Sequence, residues 1–261
     1  MKFFRITVAV ALIASAMFPL YLPVTATHTE TKEYRWFINK TKDQKPPPEH
    51  EYSFIEKYDG YYVDRKASNG DKVIYLTFDA GYENENCGKI LDVMKKHEVP
   101  SAWFILDNLL YRNMDMINRL INEGHEVCNH TAKHPNMAKI TDKELFAENL
   151  TKLETLYKEK TGLDMAKYYR PPSGTFSELN MRHAQELGYK TVFWSMAYAD
   201  WDNAKQPCVD ASFARLMEHT HNGMVLLLHP TSATNAAILD RLISAWKAEG
   251  YRFGTMEELC A

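Results

Sequence analysis

From Val73 onward, short apolar runs rich in β-branched and aromatic residues alternate with longer stretches whose apolar residues recur at helical spacing. That alternation confines the chain to a few α/β arrangements. The first run, Val73-Ile74-Tyr75-Leu76-Thr77-Phe78, ends at Asp79-Ala80-Gly81 and reads as a buried strand entering a loop. Further strands are expected at residues 101–106, 126–128, 168–169, 191–194, 224–228 and 251–253. Helices are expected at 87–97, 114–123, 141–161, 177–187, 211–219 and 236–249. The count predicts an α/β fold, a βα barrel of seven or eight units. A length of 261 residues, 45% of them hydrophobic, suits one such barrel or two smaller domains.

Ahead of this pattern, Lys2 and Arg5 precede an apolar run from Ile6 to Leu22 and the small residues of Val24-Thr25-Ala26. Residues 1–26 therefore read as an export signal; left uncleaved, the run is near the lower length limit for a membrane anchor. Residues 27–71 read as an N-terminal arm. Its first half, to Glu51, is polar, contains Pro46-Pro47-Pro48, and is expected to be extended and poorly packed. The folded domain is then 72–261. With 31 basic and 34 acidic residues, a net charge of -3, the chain has no field to collect nucleic acid or anionic lipid. The four cysteines form no C-x-x-C pair. Export permits Cys208 to join Cys260, free thiols being the alternative, and Cys128 is expected to be buried near the site.

In parallel βα barrels the reactive groups lie on loops at the carboxyl ends of the strands. Those ends carry Asp79, Asn129-His130, Arg170, Ala199-Asp200-Trp201 and His229. His130 and His134, spaced H-x-x-x-H, share a face if the segment turns helically and are then close enough to hold one divalent metal. Read alone, such a pair serves as well at a surface or a cap. Asp79 reads either as a helix cap or as a reactive carboxylate. Arg170 leads into the stiff turn Pro171-Pro172-Ser173-Gly174, where a guanidinium is held for pairing with a carboxylate, structural or catalytic. His229 leaves a buried strand just before Pro230, either as a core histidine or as a group at the barrel mouth, where Asp200 could keep it charged. Trp201 reads as packing or as a binding surface.

Four strings occur in order: T-F-D-A-G at 77–81, N-H-T-A-K-H at 129–134, R-P-P-S-G at 170–174 and L-L-H-P at 227–230. With them the sequence resembles the polysaccharide deacetylases with a NodB-homology domain, family 4 of the carbohydrate esterases. The resemblance implies the NodB-homology fold, a distorted (β/α) barrel. It also implies a divalent metal at His130 and His134, zinc first, with cobalt or manganese as the other candidates. Asp79 would be the base, Arg170 its partner, His229 the acid and Asp200 the group holding it; Ser173, Pro171 and Trp201 would face substrate. The second aspartate of the family's first string is here Ala80, so the metal site lacks a carboxylate.

Ile55-Glu56-Lys57-Tyr58-Asp59, the extension to Tyr82-Glu83-Asn84, and Val192-Phe193-Trp194-Ser195 with Asp200-Trp201 are similar to the muramic-δ-lactam de-N-acetylases of spore formers. That branch implies peptidoglycan strands whose N-acetylmuramic acid has lost its peptide. The alternatives are a general peptidoglycan or chitooligosaccharide N-acetylglucosamine deacetylase and a non-catalytic glycan-binding protein. A glycosidase using Asp79 and Asp200 would leave the histidine pair idle. A monomer exported to the cell wall, the intermembrane space or the medium is expected, with peptidoglycan as its partner.

Overall fold

The computed structural model describes residues 30–67 and 71–261, so the expected signal at 1–26 lies outside the described residues. The strands are β1 (Tyr34–Arg35), β2 (Gly60–Tyr61), β3 (Val73–Ala80), β4 (Ala102–Ile105), β5 (Glu126–Asn129), β6 (Tyr168–Tyr169), β7 (Thr175–Phe176), β8 (Lys190–Val192), β9 (Met196–Ala197), β10 (Met224–Leu228) and β11 (Arg252–Phe253). The helices are α1 (Glu85–His97), α2 (Asp107–Arg112), α3 (Met114–Asn122), α4 (Lys143–Thr161), α5 (Glu178–Glu186), α6 (Val209–Glu218), α7 (Ala233–Ala248) and α8 (Met256–Leu259).

Eight parallel strands follow one another in the order β2-β8-β6-β5-β4-β3-β10-β9, with β11 paired to the start of β3. Past β2 the chain crosses to the far side of the sheet, where Val63 bridges Met224 and the Asp64 N–H donates to the Gly223 carbonyl at 2.9 Å. That contact curls the sheet toward closure. Gly223 is required there, because its φ is +72° and a Cβ would lie 2.1 Å from the Asp64 carbonyl oxygen. The expected barrel is present, and its distortion has a topological cause: β8 runs into β9, and β2 toward β3, with no α-helix between them among the described residues.

Burial on both faces explains why the strands read as unbroken apolar runs. On β3, Ile74, Leu76, Phe78 and Ala80 join one apolar cluster with Ile90, Leu91 and Met94 of α1 and Ile238, Leu239 and Leu242 of α7. Val73 and Tyr75 turn the other way, into the barrel, with Phe104, Cys128, Val192 and Val225. Each fully buried Leu, Ile or Phe side chain stabilises by about 1.5–3 kcal/mol. The helices start where the sequence offers a cap: side chains of Asn84, Asp142, Ser177 and Ser232 accept the first free amides of α1, α4, α5 and α7.

Two expectations need correction. The described part of the arm is packed, not loose. β1 pairs antiparallel with β7, Trp36 is buried and stacks on Phe193 at 4.3 Å, a 3-10 turn (Ser53–Tyr58) buries Ile55, and β2 enters the sheet. The reason is aromatic: Tyr34, Trp36, Tyr52 and Phe54 cover Phe176 and Phe193, which the sheet would otherwise expose. Nor do Cys208 and Cys260 pair, since all four cysteines are free. Cys208 precedes α6, on the loop leaving the carboxyl end of β9, whereas the Cys260 carbonyl takes a hydrogen bond from Lys190 at the amino end of β8. The two lie at opposite ends of the barrel. Cys128 is buried below the site as expected, its thiol pushed well up by burial.

Candidate active site

The carboxyl ends of β3, β5, β6, β9 and β10 deliver Asp79, His130, Arg170, Asp200 and His229 to one mouth of the barrel. There a cavity of about 620 Å³ is lined by Asp79, His130, His134, Ser173, Trp201 and His229, together with Arg35, Trp36, Gly174, Trp194 and Tyr198. Strand-end side chains as far apart in the chain as Asp79 and His229 therefore share one space, as the strand-end argument anticipates.

Arg170 organises one wall. It is fully buried, and its Nη1 donates to Asp79 Oδ1 at 2.8 Å while Nε and Nη2 donate to the carbonyls of Val192 and Phe193 at 2.9 and 3.3 Å. Its guanidinium also lies 4.1 Å from the Phe104 ring centroid. The Arg170 carbonyl in turn accepts from His130 Nδ1 at 2.8 Å. One residue thus holds both the carboxylate and the neighbouring imidazole.

With Nδ1–H committed to that carbonyl, His130 turns Nε2 toward Asp79 Oδ2, 3.5 Å away. Burial pushes the His130 pKa down to about 4 despite the nearby carboxylate, so the ring is neutral and Nε2 presents a lone pair. His134 is also lowered by burial, and its ring centroid stands 5.0 Å from that of His130. The pair does meet, but not along a helical face as the spacing suggested. The loop gets there through left-handed residues, Thr131 at φ 70° and His134 at φ 56°, fastened by Thr131 N–H to Asn129 Oδ1 at 2.8 Å and His134 N–H to Thr131 Oγ1 at 2.9 Å.

The opposite wall is the His229–Asp200 pair. Asp200 is buried; its Oδ1 meets His229 Nδ1 at 2.8 Å, and its Oδ2 accepts the His229 backbone N–H at 2.8 Å and Asn235 Nδ2 at 2.5 Å. Burial pulls the His229 imidazolium down, but the hydrogen bond and charge of Asp200 outweigh it, so the pKa ends above the ordinary histidine value. Asp79 moves the other way. Burial pushes its carboxyl up, but in the acid range where it titrates the charges of His130, protonated only there, and of Arg170 and His229 overcome this and hold it below the usual carboxylate value. The cavity therefore favours the charged form of a carboxylate on one side and of an imidazole on the other, the arrangement general base and general acid chemistry requires.

Ser173 sits at φ 55° in the turn after Arg170 and faces the cavity; Trp201 stands at the rim, 63% exposed. Pro171 does not line the cavity. It is buried, and its carbonyl accepts the Gly174 N–H at 3.0 Å, so it shapes the turn. Arg35, Trp36, Ala197 and Tyr198 of the lining, and Asn235 behind it, escaped the sequence reading. The aromatic run Tyr34-Arg35-Trp36-Phe37 inside a polar segment was an available signal for the first two. Nothing in the local pattern marked Asn235.

The donor set bears on metal binding. Among the described residues no group of three or more His, Cys, Asp or Glu is gathered to hold an ion. Ala80 is buried in the apolar layer against α1 and supplies no donor. What remains is two neutral imidazoles beside a carboxylate, with Nε2 of His130 turned toward that carboxylate and carrying no proton to share with it. These residues fit a divalent cation with two protein nitrogens and its other positions open.

The family model described as polysaccharide deacetylase matches residues 66–192. An uncharacterised 30.6 kDa protein of Geobacillus stearothermophilus is 33% identical over 261 residues, covering 99% of this chain and 96% of that one. The peptidoglycan-N-acetylmuramic acid deacetylase PdaA of Bacillus subtilis is 36% identical over 226 residues, 86% of this chain and 84% of PdaA. The solved structure of Bacillus subtilis PdaA, a family 4 carbohydrate esterase, superposes with a TM-score of 0.82 at 34% identity, over 88% of this chain and 97% of that one.

Proposed function

This chain belongs to the polysaccharide deacetylase family, the family 4 carbohydrate esterases, and from that premise we propose that it removes acetyl groups from the amino sugars of peptidoglycan. The observation that carries the reading is the opposed pair across one cavity, Asp79 held by Arg170 at 2.8 Å and His229 held by Asp200 at 2.8 Å. His130 and His134 would hold the divalent metal, which when bound polarises the acetamide carbonyl and acidifies water.

Asp79, kept ionised and aimed by Arg170, takes the proton of the attacking water. The backbone N–H near Ser173 would stabilise the developing oxyanion. His229, protonated through Asp200, gives its proton to the departing amine; Asn235 braces Asp200 and so orients the acid without touching substrate. Trp201 offers a flat apolar face for a sugar ring. The finer reading is that the target is N-acetylmuramic acid free of peptide, after which the new amine can close on the neighbouring lactyl carboxyl as a δ-lactam. The similarity to PdaA over most of both chains supports it, and the protein would act outside the cytoplasm, at the cell wall.

Mass spectrometry of peptide-free glycan strands and of chitooligosaccharides, with divalent metal and with chelator, tests this. Acetyl loss from muramic acid units, stopped by chelator, is expected. Loss from glucosamine units alone would leave only the family-level activity, and no loss from either substrate with any metal would overturn the catalytic reading.

A pH profile tests the acid. His229 must carry a proton, so kcat is expected to fall as pH rises through its folded pKa, which Asp200 holds above the usual imidazole value. Replacing Asp200 by Asn removes that support while burial still opposes the charge. The alkaline limb of the kcat profile should then move to lower pH. An unmoved limb would show that another group donates the proton.

A further inference from the structure

The charges around the cavity do not balance within it. Asp79 is met by Arg170 and His229 by Asp200, while His130 and His134 are neutral. Arg35 is left over: it lines the cavity, is exposed, and has no ion pair among the described residues. The nearest acid in sequence, Glu33, instead accepts a hydrogen bond from Asn136 at 3.2 Å. An unpaired guanidinium at a binding cavity offers its planar donors to an anionic group of the ligand.

The root of this side chain is fixed. Arg35 pairs with Thr175 in the β1–β7 ladder, and Thr175 Oγ1 donates to the Pro172 carbonyl at 3.0 Å, in the turn that presents Ser173 to the cavity. The next residue, Trp36, is pinned by its N–H to the Gly174 carbonyl at 2.8 Å and its Nε1 to the Trp194 carbonyl at 2.9 Å. The backbone that carries this cation is therefore ordered before a ligand arrives, and only the side chain has to settle on binding.

We propose that Arg35 is a specificity-determining residue that pairs with a free carboxylate on the sugar unit being deacetylated, so that the site prefers a carboxylate-bearing amino sugar to a neutral one. The inference rests on the deacetylase reading of the site. Muramic acid carries its lactyl carboxyl on the ring position next to the acetamide. A peptide joined there by an amide bond removes the negative charge, so Arg35 would also reject strands that still bear peptide.

The test compares the parent protein, Arg35→Ala and Arg35→Lys on peptide-free glycan strands and on the same strands with the lactyl carboxyl converted to a primary amide. Acetate release gives KM and kcat, and calorimetry in an Asp79→Asn background gives affinity without turnover. Arg35→Ala is expected to raise KM and weaken binding roughly 10- to 100-fold for the carboxylate strands, with little change for the amidated ones and partial recovery with Lys. If the ratio between the two strands stays at the parent's value, the proposal is overturned whichever sugar loses acetyl. If the parent deacetylates only glucosamine units, which carry no carboxylate, the proposal falls with the muramic acid assignment, while the acetate released keeps the deacetylase reading.

Discussion

Replacing Asp79 by Asn is expected to cut kcat for acetate release by about 10²–10⁴-fold, the usual worth of a positioned general base. The amide keeps an oxygen for Arg170 Nη1, so the wall keeps its shape while the proton acceptor is gone. Glycan affinity should change far less than kcat, because Trp201, Arg35 and the Ser173 turn are untouched. Steady-state kinetics beside calorimetric binding would separate the two quantities. Parent-like turnover in this variant would remove Asp79 as base, and the mechanism with it.

Arg170→Met should be the most damaging change to the folded protein. The guanidinium is wholly buried and satisfies Asp79 and two main-chain carbonyls; without it, a buried carboxylate keeps only a partner imidazole that burial holds neutral. Breaking such a pair from one side costs about 3–5 kcal/mol, which for a domain of this size lowers Tm by roughly 6–20 °C. The Asp79 carboxyl should also rise, since one of the charges opposing its burial is lost. Lysine should rescue poorly, because a point charge cannot span a carboxylate and two carbonyls as the planar fork does. The decisive experiment is the double variant with Asp79→Asn. Neutralising the stranded carboxylate should recover part of the lost stability and none of the activity, whereas strictly additive losses in urea or thermal melts would show that the two side chains do not depend on each other.

Both predictions concern residues that could be picked out before any coordinates, and the reason is local. A parallel strand buried on both faces is an uninterrupted apolar run, so the titratable residue that ends it stands out; Asp79, His130, Arg170 and His229 all announced themselves in that way. The helix starts were less legible: α1 and α7 begin two and three residues before the expected 87 and 236, where Asn84 and Ser232 cap them.

Other features misled or stayed silent. Pro46-Pro47-Pro48 suggested a loose arm, yet the aromatic residues on either side of it find partners on the open side of the sheet. The H-x-x-x-H spacing pointed to the right pair by the wrong path, because two left-handed residues bring the rings together instead of a helical turn. Asn235 carries no local mark at all. Its role exists only because the start of α7 packs beneath the loop that brings Asp200 to His229.

Seven of the strands and six of the helices, the residues that end those strands, and therefore the gathering of the chemistry at one mouth of a parallel barrel were legible in the chain itself, whereas β1, β2, β7, β9, α2 and α8 were not. Periodicity and capping are properties of a few consecutive residues, and burial writes them into the chain directly. It took the packed chain to show that Arg170 reaches across 91 positions to Asp79 with its side chain and to His130 with its carbonyl, and that Arg35 of the arm stands at the same cavity with no ion pair among the described residues. Those meetings depend on strand order, register and the curl of the sheet, which are set by packing the whole chain at once and leave no local trace.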